Sequence, residues 1–444
     1  MTVHSLFNPI NKNMSIAKWL KERTHNLTTI RIKATSFSFK LTCAFAYHIS
    51  LFMREGSGKR GEESGLCEFL DERRLIVCVG SGGVGKTTTS AALAIKAALM
   101  GKRSLVVTID PAKRLANSLG LKEIGNSETK IPLEKFARGK KLSGSCYAMM
   151  LDTKSAFDEL IKALSPTDET YHKIIENRIY QIMSDALAGS HEYVATEKLY
   201  DFYKNDKYDV IILDTPPMKN ALDFLEATGR LGKFLDKRVL RWFLEPYQHS
   251  PVQGQYNPKA LTGTGKIVFK MLSYVFGEEF LMELYEFFIG FVDMFEAIRI
   301  RTEEVGKLIR SNDALFLVIT SPHIQVLSEA RHFQKELAKR GLPFGGFIIN
   351  QVNIVKGGEE ISGKAIYDEI KRALGDSEKA MKISKEVESA YKNASMRANR
   401  DKKVIERLLG NINVEKILRQ VPKLESDIHD IEGLLRLNAY LFGE

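Results

Sequence analysis

The chain has 444 residues, 44% hydrophobic and 27% charged, enough for about three domains, with an ordinary globular composition that excludes disorder, collagen and a disulfide-stapled miniprotein. Its net charge is +10, but residues 1–52 carry +6 of this: Lys12, Lys18, Lys21, Arg23, Arg31, Lys33 and Lys40 stand against Glu22 alone. The dispersed +4 that remains is no footprint for a nucleic-acid partner. Cys43, Cys67, Cys78 and Cys146 show neither a CxxC nor metal-ligand spacing, which fits a reduced, cytoplasmic protein.

Residues 1–52 read as an extension outside the fold. The longest early uncharged run, Leu41 to Met53, is 13 residues, short of the roughly 18 that cross a bilayer. Arg54-Glu55-Gly56 follows it where a secretory signal would carry small residues. The segment is acid-poor and rich in Ser, Thr and Phe, as transit peptides are. Met53, however, opens a polar leader (53–74) about 20 residues before the first strong strand, so a start at Met53 is the reading adopted. The folded domain is expected over 75–444.

From Leu75 onward strands and helices alternate. Leu75–Val79 is an apolar run of strand length, closed by a glycine-rich stretch from Gly80. A helix is predicted over Lys86–Met100, stopped by Gly101, and Ser104–Ile109 is a second buried strand that ends at Asp110. Apolar runs recur at Cys146–Leu151, Val210–Leu213, Ala314–Ile319, Gly346–Ile349 and Val414–Val421. Between two of them an amphipathic helix presents Val326, Ala330, Phe333 and Leu337 and ends at Gly341. This rhythm predicts an α/β fold, a mostly parallel sheet flanked by helices.

Two helical insertions, about 154–208 and 221–309, interrupt the rhythm. The first presents Phe157, Leu160, Ile161 and Leu164 on one face. In the second, residues 267–300 hold seven phenylalanines with Met271, Met282 and Met294. They are expected to build a helical subdomain core, the alternative being an adaptable apolar groove. Glu283, Glu286, Asp293 and Glu296 exclude a membrane span there. Arg397, Arg400, Lys402 and Lys403 read as a solvated helix face.

Gly80-Ser81-Gly82-Gly83-Val84-Gly85-Lys86-Thr87 fits GxxxxGK[ST] between a predicted strand and helix. Glycines let backbone N–H groups turn onto phosphate oxygens, and the following helix adds its positive end. In such a P-loop Lys86 reaches the β- and γ-phosphates and Thr87 offers its hydroxyl to Mg²⁺. Val210-Ile211-Ile212-Leu213 delivers Asp214 to a strand end, where a carboxylate can hold the Mg²⁺ water shell, and Thr215-Pro216-Pro217 marks a rigid loop that could sense the γ-phosphate. Ile348-Ile349-Asn350-Gln351-Val352-Asn353 stands where guanine-reading enzymes carry an Asp that accepts two hydrogen bonds; Asn353 cannot, which favours ATP.

Gly80 to Thr88, Thr108-Ile109-Asp110-Pro111-Ala112 and Asp214 to Pro217 together resemble the ArsA-like ATPases, relatives of MinD and ParA that include arsenite-pump and tail-anchored-protein targeting ATPases. Leu187 to Tyr193, Glu197 to Leu199 and Ala221 to Leu225 look like the bacterial, anion-transporting branch. The resemblance implies that Gly82 to Thr88 cradle the triphosphate. It makes Asp110 the switch residue that orients the attacking water, brings Asn350 to adenine, and lines the adenine pocket with Val421 and Pro422. It also implies a dimer, coupled to a client protein or membrane complex.

Three departures qualify the transfer. No cysteine cluster serves a metalloid, no CxxC bridges a dimer through zinc, and the loop reads Gly80-Ser81-Gly82-Gly83 where the family has GKGG. The missing lysine reaches the partner subunit's nucleotide. The expected activity is a Mg²⁺-dependent ATPase switch. The alternative is a weakly hydrolysing regulatory subunit paired with a related GKGG-containing ATPase. A DNA-partition ATPase is disfavoured by the +4 core charge.

Overall fold

An uninterrupted apolar run has two faces to bury, so it settles in the middle of a sheet covered on both sides. The computed structural model of the chain describes residues 65–110, 114–136, 142–178, 180–181, 191–217, 270–271, 273–355, 363–409, 418–424 and 426–443. Helix α1 (Gly65–Glu72) buries Leu66 and Leu70 in the main core, so part of the stretch read as a leader belongs to the fold. Residues 1–64 lie outside the described residues.

The first half continues with β1 (Leu75–Val79), α2 (Lys86–Leu99), β2 (Arg103–Thr108), α3 (Arg114–Ser118), β3 (Thr129–Lys130) and β4 (Ser145–Met150). Then come α4 (Thr153–Leu164), α5 (Asp168–Glu176), α6 (His191–Lys204) and β5 (Val210–Asp214). The second half comprises α7 (Glu278–Arg310), β6 (Ala314–Thr320), α8 (Ile324–Lys339) and β7 (Phe344–Val352). It closes with α9 (Gly363–Leu374), α10 (Ser377–Leu409), β8 (Leu418–Pro422) and α11 (Ile431–Phe442). Val352–Arg407 form one compact unit; Glu63–Gln351 with Leu408–Glu444 form another, which contains the sheet.

The eight strands lie in the order β3-β4-β2-β5-β1-β6-β7-β8. β1 runs parallel to β5 and β6, β2 to β4 and β5, and β6 to β7, while the two-residue β3 is antiparallel to β4. From β1 the chain leaves to one side, returns at β5 beside β1, and then extends the sheet on the other side. Such a reversal opens a crevice beyond the carboxyl ends of the strands, where ligands bind. The register points there: Asp214 stands opposite Cys78 of β1 and opposite Thr108 of β2.

α2 is almost wholly buried because its middle is alanine, which lets it lie close to the sheet. Ser104 Oγ donates to the Ala94 carbonyl (2.7 Å), and Asn438 Nδ2 of α11 donates to the Ala92 carbonyl (3.0 Å). Gly101, at φ +95°, ends the helix as expected. On α8 the buried face is Leu327, Ala330, Phe333 and Leu337; Val326, expected on it, stands at its edge.

In the helical region Phe157, Leu160 and Ile161 are buried as expected. Arg301 of α7 donates through Nε to Glu197 of α6 (2.6 Å), which is 2% exposed. Removing Arg301 strands the buried Glu197 carboxylate, whereas Arg301 itself also pairs with Asp201. The Phe- and Met-rich stretch divides: Phe287 and Met294 are buried, whereas Met271, Tyr274, Val275 and Phe276 are exposed. We expect Phe287→Ala to lower the unfolding free energy by about 3–5 kcal/mol, and Phe276→Ala, at a 55% exposed site, to leave a denaturant melt nearly unchanged. Most of insertion 221–309 before residue 270 lies outside the described residues.

Candidate active site

Gly80 closes β1 where the sheet leaves no room: a Cβ there would fall 2.2 Å from the Ile319 carbonyl oxygen. Gly85, at φ +91°, is doubly required, because its conformation favours glycine and a Cβ would meet Asn350 Nδ2 at 2.3 Å. The loop then feeds directly into α2. Gly82 has open space around it, which suits close approach of a phosphate.

Lys86, the first residue of α2, is buried, and its ammonium donates to the Ser81 carbonyl at 3.1 Å. Burial lowers its pKa, opposed chiefly by the charge of Asp214. Thr87 Oγ1 donates to Asp214 Oδ2 at 2.7 Å, and Thr108 Oγ1 donates to the same oxygen at 3.0 Å. The second oxygen, Oδ1, is buried and has no hydrogen-bond partner among the described residues. An unpartnered buried carboxylate oxygen next to a hydroxyl is a hard-cation donor set, so Thr87 and Asp214 fit Mg²⁺.

Asp110 lies just past the end of β2. Its N–H donates to Thr108 Oγ1 (3.3 Å), its carboxylate pairs with Arg114 (3.3 Å), and its charge adds to the upward pressure on the Asp214 pKa. Thr108 therefore links the two aspartates. Residues 111–113 and 218–220, including Lys113 and Lys219, lie outside the described residues.

The end of β7 holds the loop from the other side. Asn350 Nδ2 donates to the Val84 carbonyl (2.9 Å), and its Oδ1 accepts from the Gln351 N–H (2.9 Å). Gln351, in the left-handed region at φ +61°, donates through Nε2 to the Gly83 carbonyl (3.3 Å). Thr88 is the partly exposed third residue of α2. At the end of β8, Val421 is buried in the core and Pro422 is partly exposed. Asn353 gives both its N–H and its side-chain amide to Asp401 (2.9 and 2.7 Å).

Three contacts escape the sequence reading. Thr108 was visible in the switch motif without its link to Asp214. Gln351 sits in the β7 motif, but its left-handed backbone does not show in its residue type. Glu329 of α8 accepts a hydrogen bond from Ser81 Oγ at 2.7 Å across 248 residues, with no signal in either segment. Cys78 and Cys146 are buried, and burial pushes both thiols up to about 12, which is far from metal-ligating thiolates.

Burial pushes the Asp214 carboxyl from its ordinary 3.8 up to about 6, against the hydrogen bonds of Thr87 and Thr108. A raised carboxyl pKa means that ionisation costs the folded state: the contribution is full below about pH 4 and lost as pH rises through about 6. Asp214→Asn, in nucleotide-free denaturant melts, should therefore be more stable than the parent at pH 7.5 by up to about 3 kcal/mol. That gap should close towards pH 4.

A glycine loop between a parallel strand and a helix, with a buried lysine, a threonine hydroxyl and a strand-end aspartate converging, defines a P-loop nucleoside triphosphatase. The family described as anion-transporting ATPase matches residues 73–398, and the chain belongs to it. ATP hydrolysis is the activity that this membership carries.

Among curated relatives, ATPase GET3 of Malassezia globosa is 30% identical over 177 residues, 39% of this chain and 48% of that protein. ATPase GET3 of Chaetomium globosum is 24% identical over 304 residues, 67% and 79% of the two chains. ATPase GET3B of Arabidopsis thaliana is 25% identical over 305 residues, 63% and 64%. The chain thus spans about half the length of the Malassezia relative. These relatives are eukaryotic and lend no support to the bacterial-branch reading of residues 187–199 and 221–225. Among the described residues no helix is long and apolar enough to cross a membrane.

Proposed function

We propose that this chain is a Mg²⁺-dependent, ATP-driven dimeric switch that handles a hydrophobic client, a protein or membrane complex, in the cytoplasm. The observation that carries the nucleotide half is the orphaned Oδ1 of buried Asp214 beside the Thr87 hydroxyl. Thr87 and Asp214 would hold the Mg²⁺, which neutralises phosphate charge when bound. In hydrolysis Lys86 leaves the Ser81 carbonyl for the β- and γ-phosphates. Asp110 turns from Arg114 to orient the attacking water and accept its hydrogen bonds. Asn350 and Pro422 are the adenine-side residues.

The client half is supported by the exposed apolar run Met271, Tyr274, Val275 and Phe276 and by the relatives named GET3, since the resemblance includes tail-anchored-protein targeting ATPases. Its test is recovery of ATP-trapped Asp110→Asn protein with bound clients, read by mass spectrometry. Hydrophobic segments should be recovered, and Phe276→Ser in the same background should lose them; equal recovery by both would remove that surface from the account.

Ser81 favours a second reading. Its hydroxyl, committed to Glu329, brings no cation to a facing nucleotide. A regulatory subunit that binds ATP but hydrolyses it weakly, paired with a related GKGG-containing ATPase, accounts for that residue.

A further inference from the structure

We propose that the exposed face of α10 is a docking surface for an anionic lipid bilayer. Lys382, Lys385, Lys392, Arg400, Lys403 and Arg407 are all exposed and follow one another at helical steps that keep them on one face. From Lys382 to Arg407 this row extends about 38 Å along the helix. Ser389 and Met396 occupy the two remaining steps of the row, so it contains no acid. Of the five acids of α10, Asp401 is buried against Asn353 and Glu406 reaches Lys402 beside the row, while exposed Glu378 precedes the row on the same face and Glu386 and Glu388 flank it. None of the six cations has an ion pair among the described residues.

The opposite side of α10 explains why the row faces outward. Ala380 and Val387 pack with Ile366 and Ile370 of α9 in a small core of their own. The helix is thereby fixed with its basic side in water. Met381 and Met396 are exposed along that side, 46% and 56%, and supply apolar ends to a headgroup layer.

Charge complementarity asks for a polyanion, and the shape of the row selects among polyanions. A row of cations along one face of a 33-residue helix can meet a plane along its length. Duplex phosphates wind away from it, and single strands call for stacking aromatics interleaved with the cations, which the row lacks. Clusters of four to eight basic residues on an amphipathic helix fit anionic headgroups. This basic face shares no residue with the nucleotide site or with the exposed apolar run at Met271–Phe276.

The test is flotation of the full chain with vesicles of phosphatidylcholine, with and without phosphatidylserine. Each cation near such a surface contributes about fivefold to partitioning. Binding should require phosphatidylserine and disappear on raising salt to about 0.5 M. Lys385→Gln, Lys392→Gln, Arg400→Gln and Lys403→Gln together should weaken it about 10²–10³-fold. An equal charge loss at the exposed Lys122, Lys135, Lys335 and Lys364 should cost far less. Unchanged flotation of the first quadruple variant, with residues 1–52 still present, would overturn the proposal. So would equal binding to neutral vesicles, or failure to float with phosphatidylserine vesicles at low salt; salt-sensitive capture of an oligonucleotide or an acidic protein in that case would reassign the row to that partner.

Discussion

Asp110→Asn is expected to bind ATP as the parent does and to lose turnover by about 10²–10⁴-fold, the range removed with a group that accepts a hydrogen bond from the reacting water. The substitution keeps size and shape, and its amide can still meet the surroundings of Arg114. It removes a full negative charge from the neighbourhood of Asp214 without touching Lys86 or Thr87. Nucleotide affinity and turnover should therefore separate, the first measured by titration with ATP and the second by phosphate release. Parental hydrolysis by Asp110→Asn would remove Asp110 from its assigned role.

The second large effect concerns Ser81. Where the two ATP sites of a dimer face each other, a lysine at this position acts as a cation supplied in trans, and such contributions are worth about 10³–10⁵ in rate. Ser81 has none to give, and of the nearby cations Arg114 pairs with Asp110. The isolated chain should hydrolyse ATP slowly and be stimulated strongly by a related subunit with an intact GKGG loop. Ser81→Lys is the direct probe, but a lysine here meets the Glu329 carboxylate in its own chain. Pairing it with Glu329→Gln frees the new cation, so the double variant should exceed Ser81→Lys alone. Rapid hydrolysis by the pure parent, indifferent to Ser81→Lys and lost in Lys219→Ala, would move the cation to Lys219.

The sheet was legible because its strands are unbroken apolar runs bounded by turn residues, and the P-loop because its glycines sit between such a strand and a helix. Asp214 was found for the same reason, at the end of Val210–Leu213. β3 escaped because two residues, Thr129 and Lys130, leave no pattern, and their pairing with β4 is a tertiary event. α1 escaped because eight residues after a polar stretch read as a leader until Leu66 and Leu70 find the core. Glu329 could not be foreseen, since only the fold brings α8 to Ser81. The stripe of phenylalanine and methionine gave the helix but not its division into buried Phe287 and exposed Phe276, because composition carries no information about which turn meets a neighbour.

The proposed mechanism stands on Lys86, Thr87 and Asp214 forming a Mg²⁺–ATP site. Its most direct test is calorimetric titration of ATP into the full chain and into Lys86→Ala, each with Mg²⁺ and with a chelator. The parent should bind ATP, chelation should weaken binding, and Lys86→Ala should show none. Equal ATP binding by parent and Lys86→Ala, or none by the parent with Mg²⁺ present, would contradict it.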